Sequence, residues 1–484
     1  MNHCSTIEQR VDIISQMLAQ PRHGLVSQLS RTYQVSRQTL YRWAASGRKA
    51  LHEAMGAPLV PLKQKTSLAT LVLTLLIENH ARYRGIQSTL KRLHGIRISI
   101  GSICTIIQDA GQRAQAWMNR QRAQAPRTLA LDEQYSSQRG KAYLNVIDVH
   151  SGQVWASIPP VAVDGESWTL VLWSLSEQGI EPVHTVSDGG RAIADALSHL
   201  ELDQTHQRDV WHLFHVAAQV QGRLERAVKA EQDRLPALQR QAERVAAGKR
   251  VQGRPSGRTL HQQHIVLAQM QSVADAVRYL CEQLHALLDV VVLHDGAIMS
   301  SSFREQELQT IVALLDEVAM LAQPGLQQHL AMLSKQLRLA LPHALLFARL
   351  LDGSQEQALS RLGSQAVALL AWAWQRRSVL GPSSQDLLRD LPSLWQAQAS
   401  LLFTAWDRAV RASSAVENWH SIVRPHLAVH RTLSAGMLAL LAVWQNHRIA
   451  PRGLHEGLSP LQRTGSTEDQ PDWLAALGYP VLVV

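Results

Sequence analysis

Residues 128–158 read TLALDEQYSSQRGKAYLNVIDVHSGQVWASI, and the texture is that of strands. Thr128–Asp132 is a short apolar run ending in an acid. Ala142–Val149 (AYLNVIDV) and Val154–Ile158 (VWASI) are rich in β-branched and aromatic residues, and His150–Gln153 joins them with Gly152 at the turn. Downstream, residues 165–178 read as a helix. Val183–Ser187 (VHTVS) is a buried strand that stops at Asp188-Gly189-Gly190, and a helix follows over Arg191–Leu200. Val210–Leu213 is read as a last strand. The predicted order is β-β-β-α-β-α-β.

That order is the order of an RNase H-like α/β fold with a mixed sheet. In such a sheet the first and fourth strands are adjacent and parallel. Asp132 closes the first and Asp188 the fourth, so both carboxylates are expected at one edge. Neighbouring carboxylates repel unless a cation neutralises them, and Mg²⁺ favours such hard oxygen ligands. Either acid alone also reads as an ordinary loop-capping residue. Glu133 is an alternative ligand, expected to point to the opposite side of the strand. Asp148, followed by a turn, is read as a structural Asp. Gly189 and Gly190 lack side chains, which would let a DNA backbone approach.

Outward toward the N-terminus the charge changes. Residues 1–127 hold 18 Lys+Arg against 5 Asp+Glu; the remainder holds 30 against 34, so the whole excess of +9 lies in the first quarter. Single-sign charge confined to one segment points to a polyanion, most simply nucleic acid, or to a solubilising basic face. Ile7, Val11, Ile14 and Leu18 are spaced for one face of a helix over 7–19. A second stretch carries Leu25, Leu29 and Tyr33. A third helix starts after Ser36, with Leu40 and Trp43 inward and Arg37, Gln38, Tyr41 and Arg42 outward. This is a helix-turn-helix pattern, whose Arg and Gln can pair with guanine and adenine edges. The pattern recurs over 67–127: an apolar helix over 67–79, Arg82 and Arg84 before a helix Gly85–Leu93, then Arg97 and a helix capped by Ser99 or Ser102 running through Ala110. Residues 54–66, with Gly56, Pro58 and Pro61, read as a linker. Three-helix bundles without DNA binding are the alternative.

Toward the C-terminus, residues 411–431 read RASSAVENWHSIVRPHLAVHR. Glu417 stands three after Ser414, a capping-box spacing; its other reading is a third metal-facing carboxylate. Arg424 and Arg431 follow at intervals of seven, on the face of Glu417, although Pro425 should kink or restart the helix.

The segments LALDEQYSSQRGKAYLNVIDVHSG, HTVSDGG, RASSAVENWHSIVRPHL, LLAVWQNHR and GLSPLQ together resemble the catalytic core of a bacterial insertion-sequence DDE transposase. The resemblance covers roughly 128–215 and 405–462, with the helix-turn-helix units in the expected place. It implies that Asp132, Asp188 and Glu417 are the catalytic, metal-binding acids, holding two Mg²⁺ (or Mn²⁺) ions. It further implies binding of terminal inverted repeats, strand cleavage and strand transfer on double-stranded DNA, and a homodimer or higher oligomer. Asp188 and Glu417 are 229 residues apart. The Leu-, Ala- and Gln-rich chain between, 216–405, reads as helices and resembles the all-helical insertion of some relatives. Within it GKRVQGRPSGR (248–258) reads as an exposed basic loop, either a DNA-contacting arm or plain disorder. Asp209 and His212, with His215, resemble the Asp/Cys-x-x-His motif of relatives; with three mixed ligands a hydrogen-bonding role is favoured over zinc. Trp372, Trp374, Trp395 and Trp406 read as core, with stacking on an unpaired base as the alternative.

The expected organisation is therefore a helix-turn-helix domain (1–53), the linker, a second helical unit with a connecting helix (67–127), an α/β core in two parts (128–215 and 406–462), the insertion and a tail (463–484). Composition agrees with a globular chain: 46% of its 484 residues are apolar and 18% charged. The longest apolar run, around Leu68–Ile77, is half a bilayer span, so no membrane is expected. Three scattered cysteines exclude a disulfide framework and fit a reducing, cytoplasmic, nucleoid-associated setting. Two other readings are a sequence-specific DNA-binding regulator whose RNase H-like body is inert, and a nuclease without strand transfer.

Overall fold

Runs of apolar and β-branched residues make four strands in the middle of the chain, β1 (Arg127–Tyr135), β2 (Lys141–Asp148), β3 (Val154–Ala162) and β4 (Pro182–Ser187), and the polar segment His206–Arg208 adds a short fifth, β5. They form one sheet in the order β3-β2-β1-β4-β5. β1–β2 and β2–β3 are antiparallel, β1–β4 and β4–β5 parallel. The structure is a computed structural model that describes residues 6–19, 24–55, 67–125, 127–249, 257–377, 389, 391–453, 455–465 and 472–480. The expected linker from 56 to 66, the centre of the basic loop (250–256) and parts of the tail (466–471 and 481–484) lie outside the described residues. The fold is mixed α/β, dominated by helix. The chain divides into two units, 1–72 with 478–484, and 73–477.

In the first unit α1 (Ile7–Ala19), α2 (Leu25–Thr32) and α3 (Arg37–Met55) enclose Ile13, Leu29 and Leu40, with Met17, Tyr33, Val35 and Trp43 packed around them. Ser36 Oγ accepts from Thr39 N at 3.1 Å, the cap expected of α3. The stripe predicted for α1 is corrected. Ile7 and Val11 are 80% and 58% exposed, and Ile13 is the buried residue. The later half of the stripe holds, since Ile14 lies against Gly47 of α3 and Leu18 is partly buried; Ile13 and Met17 join it, and Ile7 and Val11 fall outside the contact. α4 (Leu68–Ile77) spans the division at residues 72 and 73.

In the second unit α5 (Tyr83–His94) starts before Gly85, so Arg84 is inside the helix. α6 (Ile100–Arg120), capped by Ser99, runs well past the expected end at Ala110. Gly111, the next residue, sits inside the helix and lets another helix approach: a Cβ there would sit 2.9 Å from the Cα of Gly436. α7 (Gly165–Glu177) and α8 (Arg191–His199) cover one face of the sheet, with Leu129, Leu131, Leu144, Val146, Trp168 and Ile193 as the core.

The predicted strand Val210–Leu213 is corrected. The fifth strand is His206–Arg208, and Val210 opens a helix, because Asp209 caps it by accepting from Trp211 N (2.7 Å) and His212 N (3.2 Å). That helix, α9 (Val210–Gln232), leads into α10 (Leu235–Ala246), α11 (Leu260–Leu287), α12 (Ser301–Leu321), α13 (Pro324–Ala344), α14 (Leu346–Leu362), α15 (Ser364–Gln375) and α16 (Ser393–Asp407). The insertion is not wholly helical: Leu293–His294 (β6) and Ala297–Ile298 (β7) form a small hairpin whose turn residues Asp295 and Gly296 have positive φ. Trp374 and Trp406 are buried in its core, and Trp372 is half-exposed under the Arg376 guanidinium. The chain rejoins the sheet through α17 (Ser414–Val429), which lies on β1 and β2, and α18 (Ala435–His447), which lies on β3 and α6. Short helices α19 (Pro460–Arg463) and α20 (Trp473–Ala476) follow. No helix among the described residues is long and apolar enough to cross a membrane.

Candidate active site

The parallel register pairs Ala130 with Val186. Continued two residues, it puts Asp132 level with Asp188. β1 runs on to Tyr135, so Asp132 lies inside the strand at the height where β4 has ended, not at the strand's last position. Asp132 and its antiparallel partner Asn145 share the face covered by α17. The first turn of α17 brings Glu417 there, although 285 residues separate it from Asp132.

Donor atoms of Asp132, Glu417 and His420 all lie within 4.8 Å of one another. Asp188 is outside that group. Its Oδ1 accepts from Gly190 N at 2.8 Å, but its charge reaches Asp132: burial pushes the Asp132 carboxyl up to about 7, and the charges of Asp188, Glu417 and Glu133 add to this against the hydrogen bond from Glu133 N. Three other carboxylates thus act on Asp132, and its burial makes the charged form costly.

Glu133 departs in part from expectation. It is on the other side of β1, where Trp168 Nε1 donates to its Oε1 at 2.8 Å, yet its Oε2 comes back toward Asp188. A Cβ on Gly190 would lie 3.3 Å from Asp188 Oδ1 and 3.6 Å from Glu133 Oε2. Burial first, then Asp188, raises the Glu133 carboxyl. The two glycines therefore have another use than the one expected. At Gly189 (φ +70°) the room belongs to Arg208, whose guanidinium a Cβ would overlap, and Gly190 makes room for two carboxylates.

His420 was not anticipated, although it follows Glu417 by three on the same helical face. Its role follows from its neighbours. Asn145 Oδ1 accepts from Trp419 Nε1 (2.9 Å) and Ser157 Oγ (2.8 Å). An indole only donates, so the Asn145 amide nitrogen faces His420 Nε2 at 3.1 Å and donates to it. The His420 proton then sits on Nδ1, which is 3.9 Å from both Asp132 Oδ2 and Glu417 Oε2. Burial holds the imidazole down to about 4, so it is neutral near pH 7. As a metal ligand it would have to turn a second N–H toward the Asn145 amide. The cluster is thus an oxygen site with a histidine N–H beside it, a donor set that could hold Mg²⁺ or Mn²⁺ rather than zinc.

Arg424, one further turn along α17, bonds Glu417 Oε2 at 3.1 Å. Pro425 is accommodated inside an unbroken helix, which ends at Val429; Arg431 lies beyond it and does not continue the Glu417–Arg424 face. The capping-box reading of Ser414 and Glu417 does not hold: the helix starts at Ser414, its N-cap is Ser413, and that residue makes no side-chain cap. Asp148 is structural as expected: its Oδ1 accepts from His150 N, Ser151 N and Ser151 Oγ. Asp209 and His212 are not in the metal-compatible group found among the described residues. Arg37, Gln38, Tyr41 and Arg42 are exposed on α3; Arg82, Arg84, Arg97, Arg424 and Arg431 are exposed in the second unit. No family model matches the chain, and no curated protein matches it.

Proposed function

We propose that the chain is a DDE-type transposase of an insertion sequence, binding terminal inverted repeats and carrying out cation-dependent strand cleavage and strand transfer. The observation that carries this reading is convergence: Asp132 and Glu417, remote in sequence, have donor atoms within 4.8 Å, and Asp188 is level with Asp132 and acts on it electrically. The strand order β3-β2-β1-β4-β5 with one antiparallel and one parallel half supports an RNase H-like core, and the long helical segment between β5 and α17 supports the insertion.

Asp132, Asp188 and Glu417 would hold two Mg²⁺ (or Mn²⁺) ions, which when bound activate water and stabilise the departing oxygen of a phosphodiester. The chain's own residues set the stage. Asp132 stands between the other two acids. His420 holds its Nδ1–H 3.9 Å from the oxygens of Asp132 and Glu417. Arg424 balances the charge of Glu417 from the solvent side, and Arg208 balances that of Asp188 from below Gly189. Exposed Arg37, Gln38, Tyr41 and Arg42 would read base edges, and Arg82, Arg84 and Arg97 would meet phosphates. Two element ends must be handled together, which calls for a homodimer or higher oligomer on DNA. A cytoplasmic, nucleoid-associated setting goes with this activity.

The test is Mg²⁺-dependent nicking of a labelled element end by purified protein. The wild type should nick and then join the released 3′-hydroxyl to target DNA; Asp188→Asn should bind the same end with unchanged Kd and leave it intact. Full cleavage by that variant overturns the assignment. Nicking without joining identifies a nuclease, and end binding without nicking a regulator.

A further inference from the structure

Asp209 makes more hydrogen bonds to distant parts of the chain than an ordinary helix cap requires. Its backbone N–H donates to Ser187 O at 2.8 Å, one residue before Asp188. Its Oδ1 caps α9. Its Oδ2 reaches across 204 residues of sequence to accept from Ser413 N (2.9 Å) and Ser413 Oγ (2.5 Å), at the start of the helix that carries Glu417. Val210 N donates to Arg411 O at 2.8 Å alongside. Asp209 and Ser413 are both buried.

We infer that Asp209 is a positioning residue that clamps the strand end of Asp188 to the helix start of Glu417, fixing the distance between the second and third acids. The inference rests on the transposase reading for what the acids do, but the clamp itself is a matter of geometry. A carboxylate is required because both oxygens accept: one serves two helix N–H groups, the other an N–H and an O–H. An asparagine of the same shape keeps one acceptor and turns an N–H₂ toward Ser413. It therefore preserves the cap of α9 and weakens the link to α17: the N–H₂ opposes the Ser413 N–H, and only the Ser413 hydroxyl can turn to accept from it. The link also explains how a long insertion is tolerated: it leaves the core at Val210 and returns at Arg411, and these two points are hydrogen-bonded to each other.

The experiment compares wild type, Asp209→Asn and Ser413→Ala as full-length proteins. Tb³⁺ luminescence sensitised by the protein's tryptophans reads cation binding without DNA, and the Mg²⁺ dependence of end nicking reads it in action. Asp209→Asn should keep wild-type circular dichroism and end-DNA Kd, while its half-saturating Tb³⁺ and Mg²⁺ concentrations rise about tenfold. Ser413→Ala, which loses one of two bonds, should rise about threefold. Wild-type half-saturation in Asp209→Asn overturns the clamp; if that variant does not fold, wild-type half-saturation in Ser413→Ala does so. A wild type that binds Tb³⁺ but never nicks sinks the transposase reading and leaves the clamp to be judged on Tb³⁺ alone.

Discussion

Asp132 has a proton affinity set by where β1 places it: burial first, then the charges of Asp188, Glu417 and Glu133, lift it from 3.8 to about 7 against the hydrogen bond from Glu133 N. The native state then binds more protons than the unfolded chain between those two values, so stability contributed at Asp132 is greatest below about pH 4 and is lost as pH rises toward 7. Asp132→Asn removes this dependence. In EDTA the wild-type Tm should fall relative to that of Asp132→Asn between pH 5 and pH 8, and saturating Mg²⁺ should flatten the difference. A Tm difference that stays constant over that range would show that Asp132 does not titrate there. For the same reason cation affinity should strengthen as pH rises through 7, because the ion must displace the proton. Neighbouring residues were unevenly legible. Asp132, Asp188 and Glu417 announce themselves by ending apolar runs or opening a helix. Asn145 gives no such signal, since a buried Asn in a strand has meaning only through partners on other elements.

Among the elements, α6 and α18 cross where two glycines face each other, with a Cβ on Gly111 placed 2.9 Å from Gly436 Cα and one on Gly436 placed 3.1 Å from Gly111 Cα. Backbone, unlike a flexible side chain, cannot swing away. Gly111→Ala should force the helices apart and lower stability by about 1–3 kcal/mol, seen as a lower urea midpoint; a midpoint unchanged or raised would mean that the crossing relaxes freely. The end of α6 is hard to place from sequence for this reason. A glycine inside a periodic pattern looks like a stop, and the helix it accommodates is more than three hundred residues downstream. The Val210–Leu213 error is of the opposite kind. Asp209-Val-Trp-His has the composition of a short strand, and the cap that turns it into a helix start could have been read from the Asp itself.

For the whole molecule, residues 1–127 carry +13 and the rest −4. If the basic quarter grips DNA phosphates, end-DNA affinity should fall by at least about tenfold between 50 and 200 mM salt, through release of condensed counterions. A filter-binding or anisotropy titration with a slope near zero would deny that role to the charge. The insertion has an apolar core of its own: α9 and α11–α16 enclose one cluster that includes Leu213, Val277, Leu308, Leu337 and Trp406.

Periodicity and local chemistry in the sequence determined strands β1 to β4, most of the helices of the long insertion and the exposed basic face of α3. These depend on neighbours within a few residues, and short-range sterics and hydrogen bonds decide them. Tertiary structure alone decided which part of the α1 stripe is buried, that Glu133 bends back toward Asp188, that His420 carries its proton on Nδ1, and that Asp209 holds Ser413. Each of these is a meeting of groups far apart along the chain. No local pattern encodes such a meeting, because its energy exists only once the intervening residues have folded.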